Sequence, residues 1–357
     1  MATETQIDEK KLDEFMGKIV GDLSGTLVTS MCVLGDRLGL FKDLASNGPA
    51  TSEQLASRTG TNERYVREWL GSLSSAGYIE YDPASESFTL PPEHAMALAQ
   101  EGGPAFVSGV HQMIIGMLGP IDELTEAFRQ GGGVPQTSYD DNMWKGLERF
   151  TGTWFENLLI QEWLPAVPHV QSKLESGASV ADIGSGNGQA LIKLAQTFPN
   201  STYIGYDVYE PAIENATSNA QAAGVGDRVS FKHLDVSQGI PDQHDLITTF
   251  DVIHDMVNPR GALKSIRGAL KPDGSYLLLD INCADNLEDN AGPLGAMFYG
   301  FSVLYCMTTS LAHGGEGLGA VGLPPSKVRE LCAEAGFGQV NQLPIENPFN
   351  ILYEIRL

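Results

Sequence analysis

The chain has 357 residues, with 22 basic and 45 acidic side chains and a formal net charge of −23. This length suits two domains, and the strong negative charge disfavours partners such as nucleic acid and anionic membranes. The four cysteines show no metal-ligand spacing, and the polar, acidic start of the chain lacks the features of a signal peptide. We therefore expect a reduced, cytoplasmic protein whose partners are small molecules or a second copy of itself.

The N-terminal part of the chain has the pattern of a winged-helix domain. Residues 7–46 carry apolar side chains at helical spacing, a helix opens within Gly48–Ala56, and a second is predicted over Glu63–Ala76. Residues 78–90 then indicate two short strands around a polar turn. Helix, turn, helix and hairpin in this order predict a winged helix within a mainly helical N-terminal domain.

The charges of this domain argue against DNA binding. Between Ala50 and Gln100 there are three basic and seven acidic residues. A DNA-binding surface is basic because it must neutralise phosphates. We therefore predict a structural or dimerising module, with the apolar N-terminal helices as the contact surface of a homodimer.

We divide the chain into three regions: 1–103 with the N-terminal helices and winged helix, 104–177 as a helical linker and substrate-cleft region, and 178–357 as a cofactor-binding domain. The middle region carries an aromatic and apolar stripe at helical spacing, made of Trp144, Leu147, Phe150, Trp154, Phe155 and Leu158. Core packing explains such a stripe best, although some of its members can also face a substrate pocket.

From residue 179 onward, predicted strands and helices alternate. This pattern predicts an α/β fold, a Rossmann-like doubly wound parallel sheet that closes with an antiparallel C-terminal hairpin. The predicted strands are Ser179–Ile183, Thr202–Tyr206, Val229–His233, Leu246–Phe250 and Ser275–Asp280, and the main helices are 188–197, 210–223, 260–270 and 325–335.

A glycine-rich turn follows the first of these strands, in the stretch SVADIGSGNGQ that begins at Ser179. Its pattern is G-x-G-x-G, and Gln189 stands where a dinucleotide-binding fingerprint has its third glycine. Asp182 precedes the turn, where a carboxylate would repel a pyrophosphate but suits the ammonium and sulfonium of S-adenosylmethionine. We therefore predict this cofactor, held by Asp182 and by Gly184, Ser185 and Gly186.

The ends of the later strands supply further candidates, because ligands of open α/β sheets bind beyond the carboxyl ends of the strands. Asp207 is placed to accept the ribose hydroxyls, and Asp235 to accept from the adenine amino group beside an apolar wall. A lone strand-terminal Asp is as often a helix cap as a ligand group. The full set predicted to bind the cofactor from the later strands is Asp207, Val208, Asp235, Val236 and Phe250.

The fourth strand leads into His254-Asp255. With the motif Asp182-Ile-Gly184-Ser-Gly186-Asn-Gly188, residues 179–357 resemble the class I S-adenosylmethionine-dependent methyltransferases. The whole chain resembles small-molecule O-methyltransferases with an N-terminal winged-helix dimerisation domain. That resemblance implies that His254 is the catalytic base. Met256 and the residues after it depart from the plant pattern, and the stretch around His313 looks like a less characterised bacterial branch.

Several alternatives remain open at this point. His254, Asp255 and His313 resemble the ligand set of metal-dependent C-methyltransferases that act on 2-oxo acids. A winged-helix regulator that senses S-adenosylmethionine needs a basic wing, and a nicotinamide oxidoreductase needs a glycine at position 189.

The uncharged tract Ala291–Gly315 is long enough to raise the question of a membrane span, but its glycines and polar residues favour a buried helix with loops. It lies where a substrate lid is expected, which favours a hydrophobic or aromatic acceptor. A dimer interface would explain the tract equally well.

Overall fold

The computed structural model describes residues 7–357. The chain forms two compact units: the residues up to Ile115 together with Lys145–Phe150, and Gly116–Trp144 together with Thr151–Leu357. The boundaries predicted at residues 103 and 177 stay a prediction. The expectation of no signal peptide rests partly on residues 1–6, which lie outside the described residues.

The first unit contains the predicted winged helix. Its elements include helices α1 (Glu9–Arg37), α2 (Leu40–Asn47), α3 (Ser52–Thr59), α4 (Glu63–Ser75) and α5 (Pro92–Leu98), strands β1 (Glu80–Asp82) and β2 (Ser87–Thr89), and most of α6 (Ser108–Met117). Thr51 and Gln54 form a capping box at the start of α3, and Asn62 caps α4. The core centres on Phe41 and Trp69, whose rings meet edge to face at 5.0 Å.

The arginines of this winged helix are all used in ion pairs. Arg64 pairs with Glu68 and Arg67 with Glu63, both along α4. Arg58 pairs with Asp43. Every basic side chain within residues 50–100 therefore has an acidic partner, which adds to the sequence-based case against a DNA-binding surface.

Helix α1 presents apolar side chains to solvent along most of its length. The exposed ones include Leu12, Phe15, Met16, Val20, Leu23 and Leu27. Two helices of the described chain are long and apolar enough to cross a membrane, Glu9–Arg37 and Pro293–Ala312, with 22% and 44% of their most apolar window buried. Core and interface helices satisfy the same criterion, so this is weak support for a membrane span.

The second unit contains the sheet. Its strands are β3 (Ser179–Ile183), β4 (Thr202–Asp207), β5 (Val229–His233), β6 (His244–Phe250), β7 (Leu270–Ile281), β8 (Gln339–Gln342) and β9 (Asn350–Arg356). Their order is β5-β4-β3-β6-β7-β9-β8. Strands β3 to β7 are parallel, and β9 lies antiparallel between β7 and the edge strand β8. The predicted fold class, including the closing antiparallel hairpin, is confirmed.

The remaining helices belong wholly or partly to the second unit. They are α7 (Ile121–Gln130), α8 (Asp141–Asn157, shared with the first unit), α9 (Pro168–Ser176), α10 (Gln189–Thr197), α11 (Glu210–Ala222), α12 (Pro259–Ala269), α13 (Pro293–Phe301), α14 (Met307–Ala312) and α15 (Pro325–Ala335). One core cluster joins apolar side chains of β3, β6, β7 and β9 to those of α12 and α15. The tract 291–315 forms α13, a π-helical turn over Ser302–Cys306 and α14, as the prediction of a helix with loops required.

Candidate active site

The glycine-rich turn after β3 is held by backbone hydrogen bonds to β4. The N–H groups of Gly184 and Ser185 donate to the Tyr206 carbonyl at 2.8 and 3.1 Å. The N–H of Gly186 donates to Asp207 Oδ2 at 2.9 Å. All three glycines of the motif have positive φ, and the third, Gly188, is the N-cap of α10. The predicted order of strand, turn and helix is therefore correct.

The three glycines serve different purposes. A Cβ on Gly184 would lie 2.5 Å from Val252, and one on Gly188 would lie 2.5 Å from Phe231. A Cβ on Gly186 would meet no atom within 4 Å. Gly184 and Gly188 are thus required by packing, whereas Gly186 borders open space at the carboxyl ends of the strands, where a ligand can approach the backbone.

Asp182 is buried at the end of β3, and its Oδ1 accepts a 2.6 Å hydrogen bond from the Thr248 hydroxyl on β6. Burial raises the pKa of this carboxyl to about 7. A nearby cation would stabilise the carboxylate and lower that pKa again. Asp182 therefore suits a positively charged ligand group, as predicted for the ammonium of the cofactor.

Asp207 ends β4, and both of its oxygens already accept from the backbone. Oδ2 accepts from Gly186 and Oδ1 from the Tyr209 N–H, each at 2.9 Å. A carboxylate has about four acceptor positions, so two remain for the ribose hydroxyls that the sequence assigned to it. Burial raises the pKa of Asp207. Val208, the next predicted cofactor contact, is 58% exposed.

Asp235 acts as a helix cap in this structure. It is exposed, and its Oδ1 accepts from the Ser237 N–H at 3.0 Å at the start of a 3-10 turn. This is the capping role that competes with ligand binding for any strand-terminal aspartate. Its neighbour Val236 is buried. Contact of either residue with adenine stays a prediction.

Phe250, at the end of β6, packs into an aromatic cluster. Its ring lies 5.3 Å from that of Phe155 and 5.7 Å from that of Trp163. The next residue, Asp251, has a φ of 62°, a left-handed conformation that is uncommon outside glycine. Such conformations persist where the surrounding structure fixes them, often beside functional groups.

The predicted catalytic residue His254 lies in a short 3-10 turn after β6 and is 2% exposed. Its Nδ1 lies 2.7 Å from Oδ1 of Asp280, which comes from the end of β7. With Nδ1–H donating to Asp280, the neutral ring carries its lone pair on Nε2. The partner of His254 is therefore Asp280 and not the adjacent Asp255.

The charge of Asp280 controls the ionisation of this histidine. Burial lowers the pKa of His254, but the Asp280 charge and hydrogen bond outweigh it, and the pKa stands well above 6.5. The second Asp280 oxygen, Oδ2, is buried and has no hydrogen-bond partner within residues 7–357. A buried, oriented histidine with a basic Nε2 is equipped to remove a proton from a bound hydroxyl.

Two further carboxyl groups and a thiol surround His254. Asp251 accepts from the Asn350 amide at 3.3 Å, and burial raises the pKa values of Asp251 and Asp255 to about 7. The Cys306 thiol interacts with His254 from the π-helical turn. Sequence analysis missed Asp251 and Asp280. Asp280 could have been found, because it lies at the carboxyl end of a predicted strand, as Asp182 and Asp207 do.

The structure does not assemble the predicted metal-ligand set. His313 is exposed at the end of α14. Among the described residues, the group whose ligand atoms lie within 4.8 Å of one another is Asp251, His254 and Asp280. The alternative based on His254, Asp255 and His313 is therefore not favoured.

Two known protein families match this chain, one in the N-terminal part and one over most of the sheet. A family described as an Rv2258c-like winged HTH domain matches residues 26–100, and one described as a methyltransferase domain matches residues 174–308. The chain is a methyltransferase with an N-terminal winged-helix domain. The resemblance drawn from the sequence is confirmed.

One relative matches most of the length of this methyltransferase. It is 25% identical to the O-demethylpuromycin-O-methyltransferase of Streptomyces alboniger, over 85% of this chain and 83% of that protein. It also matches a highly reducing polyketide synthase of Emericella nidulans at 31% identity over 112 residues, but spans only 4% of that protein's length.

Solved structures confirm the fold of the methyltransferase. PigF with SAH has a TM-score of 0.72 at 18% identity and covers 99% of this chain and 100% of its own. An O-methyltransferase family protein from Burkholderia thailandensis has a TM-score of 0.66 at 17% identity and covers 99% of each chain.

The methyltransferase domain and the PigF structure with SAH agree with the predicted cofactor, S-adenosylmethionine. The residues at the turn fit this cofactor on three grounds. There is open space at Gly186, a buried acid at Asp182 that suits an ammonium, and a buried Ser185 hydroxyl with no partner within the described chain.

Proposed function

We propose that this methyltransferase transfers a methyl group to a hydroxyl of a small, aromatic or otherwise hydrophobic acceptor, with His254 as the general base. The observation that carries this proposal is the buried His254–Asp280 pair, joined at 2.7 Å. His254 follows β6 and lies two residues beyond Val252. The Val252 side chain is next to Gly184 of the glycine-rich turn. The Streptomyces alboniger relative is named an O-methyltransferase, which supports the same chemistry.

S-adenosylmethionine, when bound, supplies a methyl group already activated on a sulfonium. The chain must therefore position the acceptor, exclude water and take up the hydroxyl proton. Asp280 holds the imidazole in the tautomer with its lone pair on Nε2 and stabilises the imidazolium that forms when Nε2 accepts the proton. General-base catalysis of this kind contributes about 10² to 10⁴ in rate.

Aromatic side chains of the second unit support an aromatic acceptor. Trp144 stacks on Tyr209 at 5.4 Å and meets Tyr305 edge to face at 6.0 Å. Tyr305 meets Tyr139 at 5.3 Å. Tyr305 adjoins Cys306, which interacts with His254, so this aromatic group lies next to the proposed base.

We also infer a cytoplasmic homodimer that does not bind nucleic acid or membranes. The exposed apolar row on α1 is a surface of the kind that pairs with a second copy. The ion-paired arginines of the winged helix and the net charge of −23 argue against nucleic acid.

The proposal is tested by the site of methylation. Purified protein is incubated with S-adenosylmethionine and a panel of small phenols, and the products are characterised by mass spectrometry and NMR. We expect methyl ethers, formed equally well in the presence of a chelator and by His313→Gln. Carbon-methylated products, or activity that depends on a metal and on His313, would favour the metal-assisted alternative instead.

A further inference from the structure

Residues 131–144 connect α7 to the first turn of α8, and we call them the bridging segment. Three hydrogen bonds join this segment to the π-helical turn and α14: Val134 N–H to Thr308 Oγ1 at 2.9 Å, Gln136 Nε2 to the Tyr305 hydroxyl at 3.2 Å, and the Tyr139 hydroxyl to the Leu304 carbonyl at 2.5 Å. A Cβ on Gly133 would clash with the Thr308 carbonyl, so the two backbones are in close contact. A displacement of the bridging segment should therefore displace the π-helical turn as well.

Trp144, the last residue of the bridging segment, has an aromatic ring on each side. Its ring stacks on that of Tyr209 at 5.4 Å, with 23° between the ring planes. It also meets the ring of Tyr305, in the π-helical turn, edge to face at 6.0 Å. Trp144 and Tyr209 are half-buried, and Tyr305 is buried. Trp144 therefore contacts both the residues that follow β4 and the π-helical turn.

Tyr209 connects Trp144 to the cofactor side of the site. The Tyr209 N–H donates to Asp207 Oδ1 at 2.9 Å, and the Gly186 N–H donates to Asp207 Oδ2 at the same distance. The ribose hydroxyls are predicted to bind the remaining acceptor positions of this carboxylate. A bound cofactor would then restrict the motion of Asp207 and, through the shared hydrogen bond, that of Tyr209.

The π-helical turn and α14 are in contact with the turn that carries His254. The Gly319 N–H donates to the His254 carbonyl at 2.9 Å, and a Cβ on Gly319 would clash with the Ser302 hydroxyl at the start of the π-helical turn. The Ser310 hydroxyl on α14 donates to the Met256 carbonyl at 2.9 Å. The position of the π-helical turn therefore affects the backbone on both sides of the proposed base.

The first residues of the bridging segment can act as a hinge. Gly131 and Gly132 have φ values of 77° and 76°, and a Cβ on either would meet no atom within 4 Å. Packing does not require these left-handed conformations, and glycine reaches other conformations at low cost. Hinges of this kind let a segment change position while the elements around it keep their structure.

We propose that Trp144 is a positioning residue that couples the two sides of the site. Binding of the cofactor fixes Trp144 through Tyr209, and Trp144 in turn orders the π-helical turn beside His254. The acceptor site is then ordered only when the methyl donor is present, which favours productive alignment of the two reactants. The inference rests on the proposed function only for the use of this site by an acceptor.

Hydrogen–deuterium exchange of the full chain, with and without saturating S-adenosylhomocysteine, tests the coupling without any acceptor. Mass spectrometry follows peptides that cover the glycine-rich turn, the bridging segment and residues 302–308. In the wild type we expect S-adenosylhomocysteine to slow exchange in all three by about fivefold or more. In Trp144→Ala the glycine-rich turn should still be protected, but residues 302–308 should not. Trp144→Phe, which keeps an aromatic ring, should retain that protection.

Two further variants make the test specific. Tyr209→Ala removes the other ring of the stack and should give the same result as Trp144→Ala. Tyr81→Ala is the matched control, because it removes a 47% exposed ring that lies 4.7 Å from Phe88 in the winged helix. It should leave the protection unchanged, and thermal melting shows that each variant is folded. The inference is overturned if the cofactor product does not protect residues 302–308 in the wild type, or if that protection survives in Trp144→Ala or Tyr209→Ala.

Turnover separates this inference from the proposed function. If residues 302–308 are protected in a Trp144-dependent manner but no phenol is converted to a methyl ether, the coupling stands and the proposed reaction fails. If methyl ethers form and require His254 but S-adenosylhomocysteine leaves residues 302–308 unprotected, the proposed function stands and the coupling fails.

Discussion

His254 and Asp280 arise from different strand ends, after β6 and within β7, and meet through a 2.7 Å contact in which their side chains are only 3% and 2% exposed. Because the pair is shielded from solvent, the charge of Asp280 acts on His254 with little screening. After burial, Asp280 therefore has the largest effect on the pKa of the proposed base.

Removal of that carboxylate should change the pH dependence of the reaction. The base must be neutral, so kcat/KM should rise with pH through the raised pKa of His254. In Asp280→Asn the negative charge is lost and the pKa of His254 falls, so the rising limb should move to lower pH by about one unit or more. The maximal rate should also drop, because the tautomer is no longer fixed.

A second histidine–carboxylate pair provides the control for this measurement. His169 Nε2 lies 2.7 Å from Glu354 Oε1, and the His169 side chain is 43% exposed. Glu354→Gln removes a similar histidine–carboxylate contact away from the proposed base. It should leave the pH at which kcat/KM rises unchanged. An unshifted limb in Asp280→Asn would show that this residue does not control the base.

Cofactor affinity should depend on the ionisation of Asp182. Its pKa is about 7 in the ligand-free protein because it is buried. Below that pH it is protonated and cannot pair with the cofactor ammonium, so affinity should fall as pH decreases from 8 to about 5.5. Asp182→Asn should lower the affinity at pH 8 by about ten-fold or more, since a charged hydrogen bond contributes roughly 1.5 to 3 kcal/mol.

Calorimetric titration with S-adenosylhomocysteine at several pH values measures both effects. The affinity of the Asn variant should vary less with pH than that of the wild-type protein. An affinity that is independent of pH in the wild type would place the ammonium elsewhere.

The glycine turn predicts a specific loss of cofactor binding. Gly186→Ala adds a Cβ that meets no protein atom within 4 Å, so the fold should tolerate it apart from the strain of a φ of 50°. That Cβ would project into the space where the cofactor approaches, and binding should weaken by about ten-fold or more.

Gly224→Ala is a suitable control, because Gly224 also has a positive φ, 71°, and open space around it, but it follows the C-terminal end of α11. Thermal melting and cofactor titration of the two variants separate strain from site blockage. If both variants bind the cofactor as the wild type does, Gly186 does not face it.

The apolar row on α1 should mediate the proposed dimer. Leu23 and Leu27 are 62% and 64% exposed. Leu23→Glu combined with Leu27→Glu should convert a dimer into a monomer, as measured by light scattering coupled to size-exclusion chromatography, because burial of charge at such an interface is unfavourable. Lys10→Glu, an exposed charge change on the same helix, is the control. A wild-type protein that is monomeric, or that floats with lipid vesicles, would contradict this account of α1.

Sequence periodicity was sufficient for the fold of the second unit because strand and helix alternate regularly. The strand beginning at Ser179 was predicted with its observed bounds, and the helix over Pro325–Ala335 likewise. Strand β7 begins earlier than the predicted Ser275, at Leu270, because Leu270 pairs with His244 ahead of an irregularity in the register with β6.

The site was only partly predictable, because hydrogen-bond partners depend on which strands are neighbours. The strand ends alone predict Asp182 and Asp207 as cofactor contacts, whereas the role of His254 also rests on the family resemblance. The pairing of His254 with Asp280 depends on β7 lying beside β6, which the sequence alone does not show. The capping role of Asp235 depends on the turn that follows it. Its position at the end of a strand does not reveal that turn.

The central claim is that His254 removes the acceptor proton, and the most direct measurement compares turnover with cofactor binding in His254→Gln. Formation of S-adenosylhomocysteine with a phenol accepted by the wild type is followed at a pH above the His254 pKa, alongside calorimetric titration of the cofactor. We predict a loss in kcat of about 10² or more with unchanged cofactor affinity and an intact melting transition. Turnover of the folded variant at the wild-type rate would contradict the role of His254 as the base.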